Sequence, residues 1–297
     1  MNEKSARLRR TILWGLVAAY TAVLPDAIVV YRTIATHFST PVAQKIPAAM
    51  IILLGISYIL FGMITKKNTR YFVLIIPCAF IVYAVMALEP NPNKHIHIPE
   101  YILMTWVLYE ALSIDYRGKG IYILIFLCSS MLGVVDELVQ GIYPDRFYGW
   151  MDMGINSASS IIGVLSLMGL RTEPEGDRAW IDQVEKLKGS LGVMLFGAVG
   201  AVLMCAYMFD LKATTNFRSV YPSWLLGWSI LFLTLAPALF LLYRRRFREL
   251  GNFKDEKERT LYTEAVTAHL WVICPLSILF IMHAIAVFVA FSGMEFV

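Results

Sequence analysis

The feature that most constrains this chain is a succession of long apolar runs that occupies most of its length. A bilayer core about 30 Å thick requires about 20 apolar residues per helix, and nine runs approach this length. They cover residues 11–31, 46–64, 71–88, 98–114, 120–141, 149–170, 190–210, 223–243 and 265–291. Because only helices satisfy their own backbone groups segment by segment in lipid, the pattern predicts an all-α, polytopic membrane helix bundle with about nine transmembrane helices.

The composition excludes the main soluble classes of protein. The chain is 58% hydrophobic and 16% charged, whereas soluble domains average roughly 45–50% and 25%. A folded soluble domain needs a wettable surface, so a soluble enzyme and a disordered chain are both excluded. No nucleotide-binding motif or HExxH-type spacing occurs, and we expect no nucleic-acid partner, no cofactor and no metal.

The distribution of basic residues predicts how the helices are oriented. If the chain crosses the membrane nine times, all but six of its 26 Lys and Arg residues lie on the side of the N-terminus. The six exceptions are Arg32, Lys45, Lys94, Arg146, Lys212 and Arg218. By the positive-inside rule, we expect a cytoplasmic N-terminus and an external C-terminus. A cleaved secretory signal remains an alternative interpretation of the first run.

The spacing of the runs suggests three parts. Residues 1–170 form a predicted six-span membrane domain, and residues 190–297 form a three-span C-terminal extension. Residues 171–189 connect them on the cytoplasmic side. Within this connection, residues 177–188 place apolar and charged side chains on opposite helical faces, which is typical of an interfacial amphipathic helix.

Polar residues are concentrated at three neighbouring ends of the predicted helices. An ionisable group at membrane depth costs about 2.5–3.5 kcal/mol on insertion scales, so each such group requires a partner or a function. The fourth span begins, the fifth ends and the sixth begins on the same predicted side. In each, two of the polar residues are four positions apart and therefore share one helical face. The candidate ligand-binding residues are His97, Glu100, Tyr101, Asp136, Glu137, Gln140, Arg146, Asp152 and Asn156.

These residues resemble the motifs of the VanZ-like family of bacterial polytopic membrane proteins over about residues 70–170. The family's three blocks are matched by Asn93, Lys94, His97 and Tyr101; by Asp136, Glu137 and Gln140; and by Pro144, Arg146, Asp152, Asn156 and Gly163. Asn93 replaces the usual acidic residue, Asp145 replaces the Gly before the Arg, and Ser159 occupies a position that is often Gly. The resemblance implies a bacterial cytoplasmic membrane protein whose namesake is linked to teicoplanin resistance, and it supplies no reaction.

Four functional hypotheses remain open at this point. Arg146 can grip an anionic headgroup bidentately, which favours recognition of an amphiphilic envelope molecule such as a lipid-linked precursor or a lipoglycopeptide, with membrane lipids as partners. Alternatively, the chain is a membrane enzyme in which Asp136, Glu137 or His97 acts as a general acid or base. A transporter would need polar residues through the whole membrane thickness. The fourth hypothesis is a purely structural network, with Arg146 paired to Asp152 or Glu137. The oligomeric state is not predicted.

Overall fold

A computed structural model describes residues 3–116, 118–142, 148–171, 187–213, 222–250 and 256–292, and their regular structure is entirely helical. The α-helices are α1 Glu3–Val23, α2 Ala27–His37, α3 Thr40–Ile64, α4 Thr69–Val73, α5 Ile75–Leu88, α6 His97–Leu112, α7 Ile121–Gln140, α8 Trp150–Leu170, α9 Lys188–Ala213, α10 Ser223–Leu250 and α11 Glu256–Ser292. Eight segments of the described chain are long and apolar enough to cross a membrane. The predicted all-α, polytopic fold is therefore confirmed.

The fourth predicted span differs in length from the others. Helix α6 has 16 residues, which corresponds to about 24 Å at 1.5 Å per residue, less than the hydrocarbon thickness of about 30 Å. A 3-10 helix at Pro92–Ile96 directly precedes α6. Asn91 caps the start of this 3-10 helix, because its side chain accepts a hydrogen bond from the backbone N–H of Asn93. The expected nine spans thus correspond to eight long helical segments and the shorter α6.

The helices divide into two compact units, which are described separately. The first unit comprises Met1–Ile114, Ile121–Asp136 and Trp150–Glu173. The second comprises Asp115–Gly120, Glu137–Gly149 and Pro174–Val297. The amphipathic helix predicted at 177–188 falls mainly outside the described residues. Of this segment, Leu187 packs on Ala268 and Val272, and Lys188 begins α9.

Helix α6 is the central element of the first unit. It packs against α1, α3 and α8, and α5 also packs against α8. An apolar core that includes Val85, Ile98 and Ile162 joins α5, α6 and α8. Gly163 permits the close approach of α8 to α6, because a Cβ atom at this position would lie 2.6 Å from Cβ of Thr105. In contrast, α5 exposes large apolar side chains, as expected of a lipid-facing helix.

The second unit contains α9, α10 and α11, each of which packs against the other two. Glycines allow these helices to approach closely, because a Cβ atom at Gly197 would lie 2.3 Å from the ring of Phe232. His283 of α11 is fully buried between the other two helices. Its ring nitrogens lie 2.9 Å from the hydroxyl of Ser229 and 2.9 Å from the carbonyl oxygen of Gly197. The buried histidine thus connects all three helices.

Candidate functional site

The N-terminal ends of α6 and α8 meet through a buried charge cluster in the first unit. Nζ of Lys94, in the 3-10 helix before α6, lies 2.8 Å from Oδ1 of Asp152 and 3.6 Å from Oε2 of Glu89. Asp152 occupies the first turn of α8, and both carboxylates belong to buried residues. One ammonium group therefore bridges two acidic residues and holds the starts of the two helices together.

Two buried histidines lie on this turn and make different contacts. His95 donates from Nε2 to the carbonyl oxygen of Glu89 at 2.8 Å, which fixes the 3-10 helix against the end of α5. His97 begins α6 and places Nδ1 3.2 Å from Oε2 of Glu100. The backbone oxygen of Glu100 accepts a hydrogen bond from the hydroxyl of Tyr20 at 2.9 Å. The His97–Glu100 pair is therefore supported by α1.

One helical turn deeper, α6 and α7 are joined by a hydrogen bond between buried side chains. The hydroxyl of Tyr101 donates to Oδ2 of Asp136 at 3.2 Å, and Asp136 is 1% exposed. The ring of Tyr101 also lies near the ring of His97, with 6.4 Å between the two centroids. This bond holds the Asp136 carboxylate in a defined position next to the charge cluster on α6.

The amide of Asn156 lies at the same depth on α8. Its Nδ2 is 3.5 Å from the carbonyl oxygen of Gly133, and its Oδ1 accepts no hydrogen bond within the described part of the chain. A Cβ atom at Gly133 would lie 3.3 Å from Nδ2 of Asn156 and 3.3 Å from the ring of Tyr101. The glycine of α7 thus makes room for side chains of α6 and α8.

A second layer of polar residues lies beneath these residues, and the sequence did not predict it. The hydroxyls of Thr105 and Ser129 are 3.3 Å apart, and those of Ser129 and Ser160 are 2.7 Å apart. All three residues are fully buried. Thr105 and Ser160 also donate to backbone carbonyls of their own helices. The layer joins α6, α7 and α8 without charged groups, which indicates a packing role.

The three remaining predicted site residues are Glu137, Gln140 and Arg146. Glu137 and Gln140 belong to the second unit, and both are buried. Oε2 of Glu137 accepts a hydrogen bond from the backbone N–H of Gly149 at 3.2 Å. Arg146, the predicted anion clamp, lies outside the described residues. The proposed pairing of Asp152 with Arg146 therefore stays a prediction, and within the described chain Asp152 pairs with Lys94.

The first unit thus brings six of the predicted site residues into one continuous polar region: His97, Glu100, Tyr101, Asp136, Asp152 and Asn156. It adds Glu89 and Lys94, which were not among the predicted ligand-binding residues. In the described part of this region lie the carboxylates of Glu89, Glu100, Asp136 and Asp152 and the ammonium of Lys94. Buried carboxylates require compensating cations or hydrogen-bond donors. The region is therefore suited to hold a cation or a molecule that carries hydrogen-bond donors.

No family model matches the chain, and neither a curated protein nor a solved structure is similar to it.

Proposed function

We propose that the chain is a VanZ-like protein of the bacterial cytoplasmic membrane that binds the headgroup of an amphiphilic envelope molecule. In this proposal the N-terminus is cytoplasmic, the C-terminus is external, and the polar ends of α6 and α8 face outward. The observation that carries the proposal is the grouping of His97 and Glu100 at the start of α6, Asp152 at the start of α8 and Asp136 on α7 in one polar region. The family resemblance over residues 70–170 supports the assignment.

The clustering of ionisable groups in this region supports binding over a purely structural network, because such a network does not need so many of these groups at one depth. Here Lys94 is shared between Asp152 and Glu89, and Glu100 faces His97. An outer-leaflet headgroup with its acyl chains in the bilayer can occupy such a region without leaving the membrane. Lipid-linked cell-wall precursors and lipoglycopeptides have this amphiphilic character.

The experiment compares charge reversal at Arg146 with charge reversal at Arg32, an exposed arginine on the same predicted side of the membrane. The full chain is purified in detergent and mixed with vesicles that contain a polyprenyl-diphosphate-linked disaccharide peptide, or with vesicles that lack it. We expect selective binding by the wild type. Because Arg146 is the proposed bidentate anion ligand, Arg146→Glu should weaken this binding at least about tenfold, and Arg32→Glu should leave it unchanged.

Equal binding to both kinds of vesicle by the wild type would overturn the proposal, as would wild-type binding by a folded Arg146→Glu variant. The same mixtures test the enzyme hypothesis, which the fixed position of Asp136 beside Tyr101 favours. Extraction and mass spectrometry of the lipid after incubation reveal a product if turnover occurs. An unaltered lipid supports recognition, whereas a new product absent from the Asp136→Asn sample favours the enzyme and overturns recognition alone.

A further inference from the structure

Two strong potential metal ligands from different helices approach each other at the polar ends of α6 and α8. A ring nitrogen of His97 and a carboxylate oxygen of Asp152 lie within 4.8 Å of each other. Two ligand atoms that share one Zn²⁺ ion, each at about 2.0–2.2 Å, lie roughly 3–4 Å apart. A movement of about an ångström by either side chain would therefore place both atoms on one ion. Both residues are buried, at 6% and 7% exposure, which limits competition from bulk water.

A second observation concerns the orientation of His97. Nδ1 of this ring faces Oε2 of Glu100 at 3.2 Å. Histidine ligands commonly direct one nitrogen to the metal and the other to a carboxylate, which fixes the ring and raises its basicity. The backbone of α6 at Glu100 is also tied to α1, because its backbone oxygen accepts a hydrogen bond from the Tyr20 hydroxyl. With Nε2 of His97 as the metal-binding atom, Glu100 would be its supporting carboxylate at Nδ1.

The charges around this pair also favour a cation. Nζ of Lys94 contacts Oδ1 of Asp152 and the Glu89 carboxylate, and the Glu100 carboxylate faces His97. A divalent cation between His97 and Asp152 would interact favourably with these neighbouring carboxylates. On the same face of α8, one turn below Asp152, the fully buried Oδ1 of Asn156 lacks a hydrogen-bond donor in the described chain. A water molecule bound to the metal would supply such a donor.

We propose that His97 and Asp152 bind a divalent transition-metal ion, with Zn²⁺ as the preferred ion and Glu100 as the positioning residue for His97. A donor set of one imidazole and one carboxylate suits Zn²⁺ better than Mg²⁺ or Ca²⁺, which prefer oxygen ligands alone. The remaining coordination positions are filled by water or by an oxygen atom of a bound molecule. Resting on the proposed function, this inference also explains how a region rich in carboxylates receives an anionic headgroup, because the metal ion binds its phosphate or carboxylate oxygen.

The test measures Zn²⁺ binding by the full chain in detergent after removal of metals with a chelator. Zn²⁺ affinity is obtained by competition with a chromophoric chelator, and metal content is measured after dialysis. We expect the wild type to retain stoichiometric Zn²⁺ and to unfold at a higher temperature when Zn²⁺ is present. His97→Ala and Asp152→Asn should each lose at least about tenfold in affinity, and so should Glu100→Gln, which keeps both ligands but removes the supporting carboxylate.

His37→Ala provides the matched control, because this histidine is exposed at the end of α2 and should not affect Zn²⁺ affinity. If His97→Ala or Asp152→Asn does not fold, Glu100→Gln still tests the site, because it keeps both proposed ligands. Co²⁺ substitution adds a spectroscopic readout, since its visible absorption bands should change in Glu100→Gln. Wild-type Zn²⁺ affinity in a folded His97→Ala variant, or no stoichiometric binding by the wild type, would overturn the inference.

Different experimental results would reject the metal site and the proposed function. Loss of vesicle selectivity with Zn²⁺ binding retained would reject headgroup recognition and leave the metal site intact. Selective vesicle binding by a metal-free protein that does not take up Zn²⁺ would reject the metal site and leave headgroup recognition intact.

Discussion

The two units of this protein each bury a histidine, but they surround it with different chemistry. In the second unit, His283 lies between a serine hydroxyl and a backbone carbonyl, each 2.9 Å from a ring nitrogen. Since the carbonyl of Gly197 can only accept, Nε2 carries the proton, and the hydroxyl of Ser229 donates to Nδ1 of the neutral ring. This imidazole satisfies two neutral groups and requires no charge.

In the first unit, His97 lies beside Glu100 at 3.2 Å and within reach of the Asp152 carboxylate. Asp152 in turn contacts the ammonium of Lys94, so the ring of His97 lies among charged groups, whereas that of His283 lies among neutral ones. The comparison teaches that two buried histidines can differ in the charge of the groups around the ring, and this difference is the basis on which we assign them different roles.

The largest effect on stability is expected from His283→Ala. This substitution removes a packed ring and leaves the Gly197 carbonyl without its donor, so it should lower the free energy of unfolding by about 2–4 kcal/mol. Zn²⁺ affinity should not change. Unfolding of the full chain in detergent, followed by tryptophan fluorescence, measures the stability, and His37→Ala is the exposed control. Undiminished stability, or a loss of Zn²⁺ affinity in a folded sample, would break the comparison between the two histidines.

An intermediate effect is expected from Gly163→Ala, below the polar region of the first unit. The added Cβ would lie 2.6 Å from Cβ of Thr105, an atom attached directly to the backbone of α6. The helices must therefore separate, at a cost of about 1–3 kcal/mol. Gly154→Ala, on the same helix with no atom within 4 Å of the added Cβ, is the matched control. Similar stabilities of the two variants in thermal unfolding would contradict close packing of α6 and α8.

The smallest effect is expected from Tyr101→Phe. It removes one hydrogen bond to Asp136, keeps the buried ring and leaves Asp136 a further interaction, so the free energy of unfolding should fall by only about 1 kcal/mol. Tyr83→Phe on the exposed face of α5 should have no measurable effect in the same denaturant titration. A loss in Tyr101→Phe as large as that in His283→Ala would show that the polar region is primarily structural, which would remove the contrast between the two units.

Much of this architecture could be predicted from the sequence, because helices in lipid must be long and apolar. The fold class and most of the helical segments follow from run length alone. The shared faces of His97 with Tyr101 and of Asp152 with Asn156 follow from helical periodicity. The short α6, His97–Leu112, also lies close to the run predicted at residues 98–114, but the sequence did not indicate the 3-10 helix at Pro92–Ile96 that precedes it.

The contacts that define the site could not be predicted in the same way. Lys94 reaches both Glu89 and Asp152 because the chain folds back between α5 and α6, and no spacing rule reports such a turn. The approach of His97 to Asp152 joins two helices that are distant in sequence, so it leaves no local metal-binding motif. The hydroxyl layer of Thr105, Ser129 and Ser160 was also missed, because isolated Ser and Thr residues are common in membrane helices.

The shortness of α6 has a consequence for hydrophobic mismatch. A helix in direct contact with acyl chains must match the bilayer thickness by tilting or by deforming the lipid around it. Helix α6 is enclosed by α1, α3 and α8, so neighbouring protein rather than lipid sets the length that it requires. Helix α5, with Ile76 and Phe80 about 70% exposed, is not covered on this face by neighbouring helices of the described chain. Selection can therefore introduce charge at the start of α6 without an insertion penalty on a lipid-facing surface, whereas the outer face of α5 remains committed to apolar residues.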